Sequence, residues 1–366
     1  MNIDFANLKH QYQLYKKEID IAMHAVLDKS NYIMGKEVTT LEKNLEKFTG
    51  AKHAITCSSG TDALLLVMMA LDIEPDDEII TTPFTFIATA ETISFLKAKP
   101  IFVDIDENTY NIDPSKIEER ITSKTKAIMP VSLYGQPADM DAIQTIANKH
   151  NLKVIIDGAQ SFGSTFNGKT DSTLGDISTT SFFPAKPLGC FGDGGAVFTD
   201  DDVLAEKMKS LRVHGRSKRH HHKYIGMGGR MDTLQCAIVD VKLKHYTKDL
   251  ALRQKVAKKY TKTLQGKGLI LPFIDKRTTS TWAQYSVRAK DRDALRAKLK
   301  EQGIPTAVHY PMPLHLQECF IYLGNKKGDF PVCEQVSNEI MSLPINPYLL
   351  DSEIEYISDN LQEIIK

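Results

Sequence analysis

The chain of 366 residues lacks a net charge, because 46 lysines and arginines balance 46 aspartates and glutamates. A neutral chain has no general attraction to nucleic acid or to an anionic membrane, so neither is predicted as a partner. No apolar run approaches the length of a membrane span. The first twenty residues are polar and contain no apolar core of a signal peptide. These absences predict a soluble, cytoplasmic protein.

The chain also lacks the cysteine pattern of a disulfide framework or a zinc site. Its cysteines are odd in number, far apart and without a C-x-x-C pair: Cys57, Cys190, Cys236, Cys319 and Cys333. This usage favours reduced thiols. Three adjacent histidines, His220 to His222, do not share one face of a strand or helix, so no metal site is predicted.

Strand-like and helical segments alternate along the first two thirds of the chain. Amphipathic helices are predicted at 9–28 and 37–48, and strands at 54–59, 78–82, 100–106, 127–135, 153–157, 177–183 and 195–200. This alternation predicts an α/β fold with a mainly parallel sheet covered by helices on both faces. Residues 1–245 are interpreted as a large domain that ends in a helix at 230–246, and a second helix is predicted to follow it as far as about residue 265. Residues 246–366 are interpreted as a smaller α+β domain with strands at 283–289 and 306–311 and two terminal helices.

Glycine signatures of nucleotide binding are missing. The first predicted strand is followed by SSGTDA rather than G-x-G-x-x-G, and G-x-x-x-x-G-K-[ST] does not occur. The sheet pattern alone leaves a NAD-dependent oxidoreductase as a remote alternative.

A single lysine stands between two prolines in SFFPAKPLGCFGDGG, residues 181–195. Pro187 disfavours helical backbone at Lys186, which predicts that an extended loop carries the amine. A Pro/Gly turn with a solvated lysine is the simpler interpretation of this segment alone. Ligands of open α/β sheets bind at the carboxyl ends of the strands, where this loop and three other polar segments are expected.

The other segments suit a flat, phosphorylated aromatic aldehyde. Ser59, Gly60 and Thr61 lie at a strand-to-helix junction, where free amides and the helix dipole favour a phosphate. Ser181 can add a hydroxyl there. Ordinary helix capping is the simpler interpretation of the Ser59 junction, and Ser181 can be an ordinary serine at the end of a strand.

Three further residues suit the aromatic ring of such a ligand. Asp157 ends the apolar strand KVIID, where its carboxylate can hold a ring nitrogen protonated or merely cap a turn. Gln160 can donate to a ring oxygen. Phe86 can stack on the ring or belong to the core. Lys186 would then form a Schiff base with the aldehyde and move the proton of a transamination.

Taken together, CSSGTDALL, TTPFTFIATAE, DGAQSFG, SFFPAKPLGCFGDGGA and GRMDTLQCAI resemble the DegT/DnrJ/EryC1/StrS family of nucleotide-sugar aminotransferases. The resemblance covers essentially the whole chain. It implies the fold type I architecture of enzymes dependent on pyridoxal 5'-phosphate (PLP), with pyridoxamine 5'-phosphate as an intermediate. It also implies a homodimer with shared active sites, and L-glutamate as amino donor.

By this resemblance Lys186 is the Schiff-base lysine, Asp157 the partner of the pyridine nitrogen and Gln160 the donor to the ring oxygen. Phe86 is the stacking residue. The phosphate residues are Ser59, Gly60, Thr61 and Ser181. One departure concerns Gly228, because relatives usually carry an asparagine there that reaches the neighbouring subunit's cofactor phosphate.

A narrower resemblance is carried by TKAIMPVSLYGQ, VHGRSKRHHHK, AQYSVR, GIPTAVHYPMPLH and MSLPINPYL. These segments are similar to 3-aminotransferases of a UDP-linked 3-keto-N-acetylglucosaminuronic acid, which supply diamino uronic acids for bacterial surface polysaccharides. Arg230, His309 and Tyr310 are candidates for the substrate side, the first two for its carboxylate. Arg216 and Arg219 belong to a basic run that suits the diphosphate or forms a solvated loop.

Two alternatives stay open. A C4 aminotransferase of a UDP-4-keto-6-deoxy-N-acetylhexosamine would not need Arg230 or His309 for charge recognition. A regulatory protein with the same fold would bind the cofactor or a nucleotide sugar without turnover, although Lys186, Asp157 and Gln160 argue against it.

Overall fold

A seven-stranded mixed sheet forms the centre of the chain in the computed structural model, which describes residues 3–365. The strands along the sequence are β1 His53–Cys57, β2 Glu78–Thr81, β3 Lys99–Phe102, β4 Thr125–Ile128, β5 Lys153–Asp157, β6 Thr165–Phe166, β7 Lys169–Thr170, β8 Ile177–Ser181, β9 Gly195–Thr199, β10 Arg216–Lys218, β11 His221–His222, β12 Tyr285–Arg288 and β13 Ile340–Leu343. The order in the central sheet is β1-β9-β8-β5-β4-β2-β3. β9 runs antiparallel to both of its neighbours, and the pairs from β8 to β3 are parallel. The predicted mainly parallel sheet is confirmed.

Helices cover both faces of this sheet. They are α1 Leu8–Leu27, α2 Lys36–Thr49, α3 Gly60–Ala70, α4 Ala88–Phe95, α5 Met140–His150, α6 Asp202–Leu211, α7 Thr233–Leu264, α8 Arg292–Glu301, α9 Pro331–Glu339 and α10 Asp351–Ile365. One face packs on α3, α4 and α6 through a core that includes Leu64, Ile93 and Met208. The other face packs on α2 and α7 and, further along the sheet, on α5. Burial of these apolar faces is the main driving force for the layered arrangement.

The long helix α7 corrects the prediction of two successive helices. Its 32 residues contain no proline or glycine, so nothing in the backbone interrupts it. Leu243 and Tyr246 pack in a core with α2 and the sheet, whereas Val256 and Tyr260 pack in the core of the C-terminal region. The predicted domain boundary at 245–246 lies inside this helix, and the division into domains stays a prediction.

The C-terminal region contains a two-stranded antiparallel sheet of β12 and β13, packed with α8 and α10. The strand predicted at 306–311 is wrong: among the described residues, a single bridge joins Ala307 of this segment to Ser342. Pro305, just before the segment, and Pro311, at its end, have no N–H to donate to a sheet. β13, which follows α9 directly, was missed because only four residues separate that helix from Pro344.

Candidate active site

The Lys186 loop, residues 182–194, leaves the sheet at β8 and returns at β9 on the same edge. Its ends are joined by the Phe182 amide, which donates to the Gly194 carbonyl at 2.7 Å. The Lys186 amide donates to the Phe183 carbonyl at 2.8 Å, so a hydrogen-bonded turn, rather than extended chain, leads into the lysine. A Cβ at Gly189 would stand 2.5 Å from the Pro184 carbonyl oxygen, so a glycine is required where the loop folds on itself.

Asp157 lies at the end of β5 and is 5% exposed. Its Oδ2 accepts a hydrogen bond from the Thr89 hydroxyl at 2.7 Å, and its Oδ1 accepts one from the Ala159 amide at 3.2 Å. Burial raises the pKa of this carboxyl group above its usual value, while these hydrogen bonds and the charge of Lys186 act against that shift. The carboxylate is therefore fixed in orientation and suited to pairing with a cation.

Lys186 is the positive charge that acts on Asp157. Burial lowers the pKa of its amine below the usual lysine value, and the charge of Asp157 opposes this shift. A lowered pKa increases the fraction of neutral amine, the form that attacks carbonyl carbon and accepts protons. The charge of Lys186 also helps to lower the pKa of His309, after the larger effect of burial. His309 is therefore a neutral imidazole near pH 7, and its Nδ1 lies 3.1 Å from the Ser342 hydroxyl.

Gln160 connects the Asp157 turn to Tyr310. Its Oε1 accepts from the Tyr134 amide at 2.8 Å, and its Nε2 donates to the Tyr310 hydroxyl at 3.2 Å. The amide nitrogen has a second N–H for a ligand oxygen. Phe86, which is 54% exposed, lies with its ring centroid 6.3 Å from that of Tyr310. Tyr310 thus lies next to both Gln160 and Phe86.

The N-terminus of α3 lies against the end of β8. A Cβ at Gly60 would stand 2.7 Å from the Ser181 Cβ, so these residues are in direct contact and only a glycine fits. Ser59 caps the helix by accepting from the Asp62 amide at 3.0 Å, as the capping interpretation expected. Thr61 is the second residue of the helix, where its amide has no intrahelical partner. This junction suits an anion.

Gly228 and Arg230 flank Gly229, whose carbonyl accepts from the Ser58 amide at 3.0 Å. This bond brings their segment next to the α3 N-terminus. Arg230 is partly buried and lines a cleft with Ser59 and Asp193, outside the group formed by Asp157 and Lys186.

Arg216 and Arg219 lie on or beside the β10–β11 hairpin, whose residues are all exposed. The hairpin is attached to its own base, where the Ser210 hydroxyl donates to the Arg216 carbonyl at 3.0 Å. The structure does not bring these two arginines to Lys186 within one chain.

Three residues that sequence reasoning missed support the site. Thr89 holds Asp157, and the Tyr134 amide holds Gln160. Lys242, on α7, donates from Nζ to the Gly189 carbonyl at 2.6 Å and lies 4.5 Å from the Phe191 ring centroid. Thr89 lies in the segment TTPFTFIATAE, which was singled out only for Phe86. Nothing in the sequence around Lys242 indicates its contact with the Lys186 loop.

The stability of the protein is expected to depend on pH through Lys242, which is 3% exposed. Burial lowers the pKa of its amine from 10.5 to about 8. Between about pH 8 and 10.5 the unfolded chain therefore binds more protons than the folded one, so the free energy of unfolding rises with pH. Below pH 8 the full cost of burying the charged amine is present. The difference in the free energy of unfolding between the wild type and Lys242→Met should change by about 3 kcal/mol, in favour of the wild type, from the lower to the upper end of this pH range. Urea unfolding of both proteins at several pH values measures this, and parallel profiles would refute it.

The residues present fit a phosphorylated aromatic aldehyde such as PLP. A buried carboxylate at Asp157, an amine of lowered pKa at Lys186 and a helix N-terminus without room for a side chain at Gly60 supply the three functions that the ligand requires.

An asparagine at residue 228 should strengthen cofactor retention. A Cβ there would lie 3.2 Å from the His214 ring and 3.9 Å from a guanidinium nitrogen of Arg230, and the exposed His214 side chain can move. The added side-chain amide would supply an N–H donor at this position. We expect Gly228→Asn to bind PLP about tenfold more tightly, as one hydrogen bond to a charged phosphate implies, and Gly228→Ala to resemble the wild type. Cofactor content after dialysis measures the effect, and equal retention in both variants would contradict it.

A profile of the DegT/DnrJ/EryC1/StrS aminotransferase family matches residues 13–362. The UDP-2-acetamido-2-deoxy-3-oxo-D-glucuronate aminotransferase of Pseudomonas aeruginosa is 49% identical over 355 residues, which cover 97% of this chain and 98% of that protein. The pleiotropic regulatory protein of Geobacillus stearothermophilus is 44% identical and covers 100% of this chain and 99% of its own length. These relatives span the whole site described above.

Solved structures agree with the sequence relatives. The crystal structure of S. venezuelae DesV superposes with a TM-score of 0.98 at 35% identity, covering 100% of this chain and 99% of that one. The structure of NtdA from Bacillus subtilis with bound cofactor PMP has a TM-score of 0.93 at 31% identity, covering 100% and 85% of the two chains. The fold type I prediction is confirmed.

Proposed function

We propose, from the premise that the chain belongs to the DegT/DnrJ/EryC1/StrS aminotransferase family, that it aminates C3 of UDP-2-acetamido-2-deoxy-3-keto-D-glucuronic acid. The enzyme is a PLP-dependent sugar aminotransferase, and L-glutamate is the proposed amino donor. The substrate proposal depends on the 49% identical relative from Pseudomonas aeruginosa, whose name specifies this keto sugar. The product would be a 2,3-diamino uronic acid for bacterial surface polysaccharide, made in the cytoplasm.

PLP, when bound, supplies an aldehyde that condenses with amines and a ring that accepts the electrons of a broken C–H bond. The residues of the chain supply position and proton transfer. The Asp157 carboxylate would pair with the ring nitrogen and favour its protonated form. The second N–H of Gln160 Nε2 would donate to the ring oxygen, and Phe86 would stack on the ring. The α3 N-terminus at Gly60 and Thr61, together with Ser181, would hold the phosphate.

Lys186 moves the proton in both halves of the reaction. Its Nζ takes the proton from Cα of the amino donor and later returns a proton to C3 of the sugar, which becomes the carbon that bears the new amine. The turn at Phe183 to Lys186 and the Gly189 contact restrict the loop, so the amine remains near Asp157.

Arg230 is the proposed cationic partner of the uronate carboxylate. His309 is neutral, so it offers that carboxylate a hydrogen bond rather than a charge. The Tyr310 hydroxyl accepts from Gln160 and keeps its own proton for a substrate oxygen. Because the cleft of Arg230 lies outside the group formed by Asp157 and Lys186, we propose that Arg230, Arg216 and Arg219 serve the site of the second subunit.

The homodimer is proposed partly on exposed apolar side chains around the site. Phe183 is 51% exposed on the Lys186 loop, and Ile225 is 93% exposed beside the hairpin. A second copy of the chain would bury both. Light scattering should give twice the chain mass for the wild type and a single chain mass for Ile225→Glu. Val203→Glu, at a side chain 76% exposed on α6, is the control that should remain dimeric. A monomeric wild type would refute the proposal.

The substrate is tested by absorbance of the purified protein with PLP. The yellow band should bleach with L-glutamate and return with the UDP-linked 3-keto uronate, and mass spectrometry should detect the aminated sugar. Return only with a UDP-4-keto-6-deoxy sugar would replace the proposed substrate by the C4 alternative. A band that L-glutamate does not bleach would favour the regulatory alternative. Arg230→Met should lose activity on the uronate while the bleaching by L-glutamate is retained.

A further inference from the structure

Asp171 is a second buried carboxylate behind the site, and the proposed reaction does not use it. It begins the short turn of residues 171–173 between β7 and β8 and is 1% exposed. Its Oδ1 accepts from the Ser132 hydroxyl at 2.9 Å, and its Oδ2 accepts from the Ser161 hydroxyl. Burial raises the pKa of this carboxyl group to about 6, and the like charge of Asp157 contributes in the same direction. Asp171 is therefore largely ionised at neutral pH.

Both hydroxyl partners are joined to residues 157–161, the turn that carries Asp157 and Gln160. The Ser132 amide donates to the Asp157 carbonyl at 3.0 Å, and the Ser161 amide donates to the Gly158 carbonyl at 3.1 Å. Between them, a Cβ at Gly158 would stand 3.0 Å from Asp171 Oδ2. The carboxylate thus lies against the middle of the turn and is connected to both of its ends.

Neutral side chains could make these contacts without the cost of a buried charge. A buried carboxylate that is held by two hydroxyls and lies close to another carboxylate destabilises the fold relative to a neutral side chain. The negative charge is favourable only where a positive charge is present nearby. Asp157 is the residue that would pair with such a charge, the protonated ring nitrogen of the cofactor.

We propose that Asp171 is a positioning residue of the active site, which fixes the 157–161 turn through Ser132 and Ser161 and places a second negative charge behind Asp157. The inference rests on the proposed roles of Asp157 and Gln160. With PLP bound, a second negative charge would favour positive charge both at the ring nitrogen and at Lys186 Nζ, because opposite charges attract.

The test compares Asp171→Asn with Asp249→Asn in the PLP-loaded enzyme. Asp249 is also buried, at 3% exposure, and accepts hydrogen bonds from Tyr15 at 2.9 Å and Tyr348 at 3.0 Å, but it lies on α7. We follow the absorbance band of the bound cofactor as a function of pH, and the spectral midpoint is the pH at which half of the change has occurred. We expect Asp171→Asn to lower this midpoint by on the order of one pH unit. It should reduce kcat about tenfold, with KM for L-glutamate within twofold of the wild-type value. The other titratable groups at the site, Lys186, His309 and Tyr310, are common to both variants.

Asp249→Asn should leave the spectral midpoint unchanged even where it lowers thermal stability. A midpoint that stays at the wild-type value in Asp171→Asn, or that moves equally in both variants, overturns the inference. If Asp171→Asn does not fold, Ser161→Ala replaces it, because loss of that hydroxyl favours neutral Asp171 and should move the midpoint in the same direction. A wild-type protein without a cofactor band would refute the proposed function, and this inference with it. A normal wild type without the shift refutes the inference alone.

Discussion

We expect Lys186→Met to lower turnover by about 10⁴-fold or more, since one side chain serves as both nucleophile and proton carrier. Methionine keeps the length and apolar stem of lysine, so the Lys186 loop should keep its turn at Phe183 and its close contact at Gly189. The variant should still bind PLP, because Asp157 would still pair with the ring nitrogen and the α3 N-terminus at Gly60 would still hold the phosphate. The measurements are production of 2-oxoglutarate from L-glutamate and the cofactor content after gel filtration.

Lys242→Met is the matched control for this variant. It removes another buried lysine that contacts the same loop, but the Lys242 amine binds the Gly189 carbonyl and is not placed at the reacting atoms. Its turnover should remain within about tenfold of the wild type. A small external amine should partly restore Lys186→Ala, because the truncated side chain leaves space where the amine stood. Residual activity of Lys186→Met above about one per cent of wild type would remove Lys186 from its proposed role.

The second large effect is expected for Asp157→Asn, with a loss of about 10³-fold in kcat/KM. The substitution keeps the shape of the side chain but removes the charge that would hold the ring nitrogen protonated. Without that proton the ring withdraws electrons poorly from the C–H bond that must break. Steady-state rates with both substrates, and the absorbance of the loaded protein, measure the change.

Thr89→Val distinguishes the effect of the Asp157 charge on the rate from the effect of its orientation. It removes the hydroxyl that donates to Asp157 Oδ2 at 2.7 Å and leaves the carboxylate in place. A loss of about tenfold is expected, on the scale of one hydrogen bond to a charged group. Equal losses in Thr89→Val and Asp157→Asn would show that orientation, rather than charge, accounts for the effect.

Much of this arrangement could be predicted from the sequence because the strands of the sheet are short and clearly delimited. KVIID is an apolar run that ends in a carboxylate, and its observed bounds, Lys153–Asp157, are those predicted. Parallel strands end at a common edge, so Asp157 and the loop after β8 were expected to meet there. The family also followed from motifs at these ends.

The rest depends on contacts between segments distant in sequence. The Tyr134 amide donates to Gln160 from a residue with left-handed backbone, at a φ of 57°. A tyrosine rarely adopts this conformation, so the sequence does not predict it. Asp171 has the surroundings of an exposed turn in sequence, and its burial follows from serines that precede it by 10 and 39 residues. The neutral state of His309 likewise follows from burial that no local pattern indicates.

The antiparallel course of β9 has a consequence for the order of folding. β8 and β9 are joined by the short Lys186 loop and can pair as a local hairpin, whereas β1 pairs with β9 across roughly 140 residues of chain. During synthesis β1, an almost fully buried strand, emerges on the order of ten seconds before its partner exists. The Lys186 loop can therefore form before the proposed phosphate site of Gly60, Thr61 and Ser181. That site is complete only when β1 pairs with β9 and brings Gly60 against Ser181. Acquisition of tightly held cofactor should consequently be a late event that reports completion of the sheet.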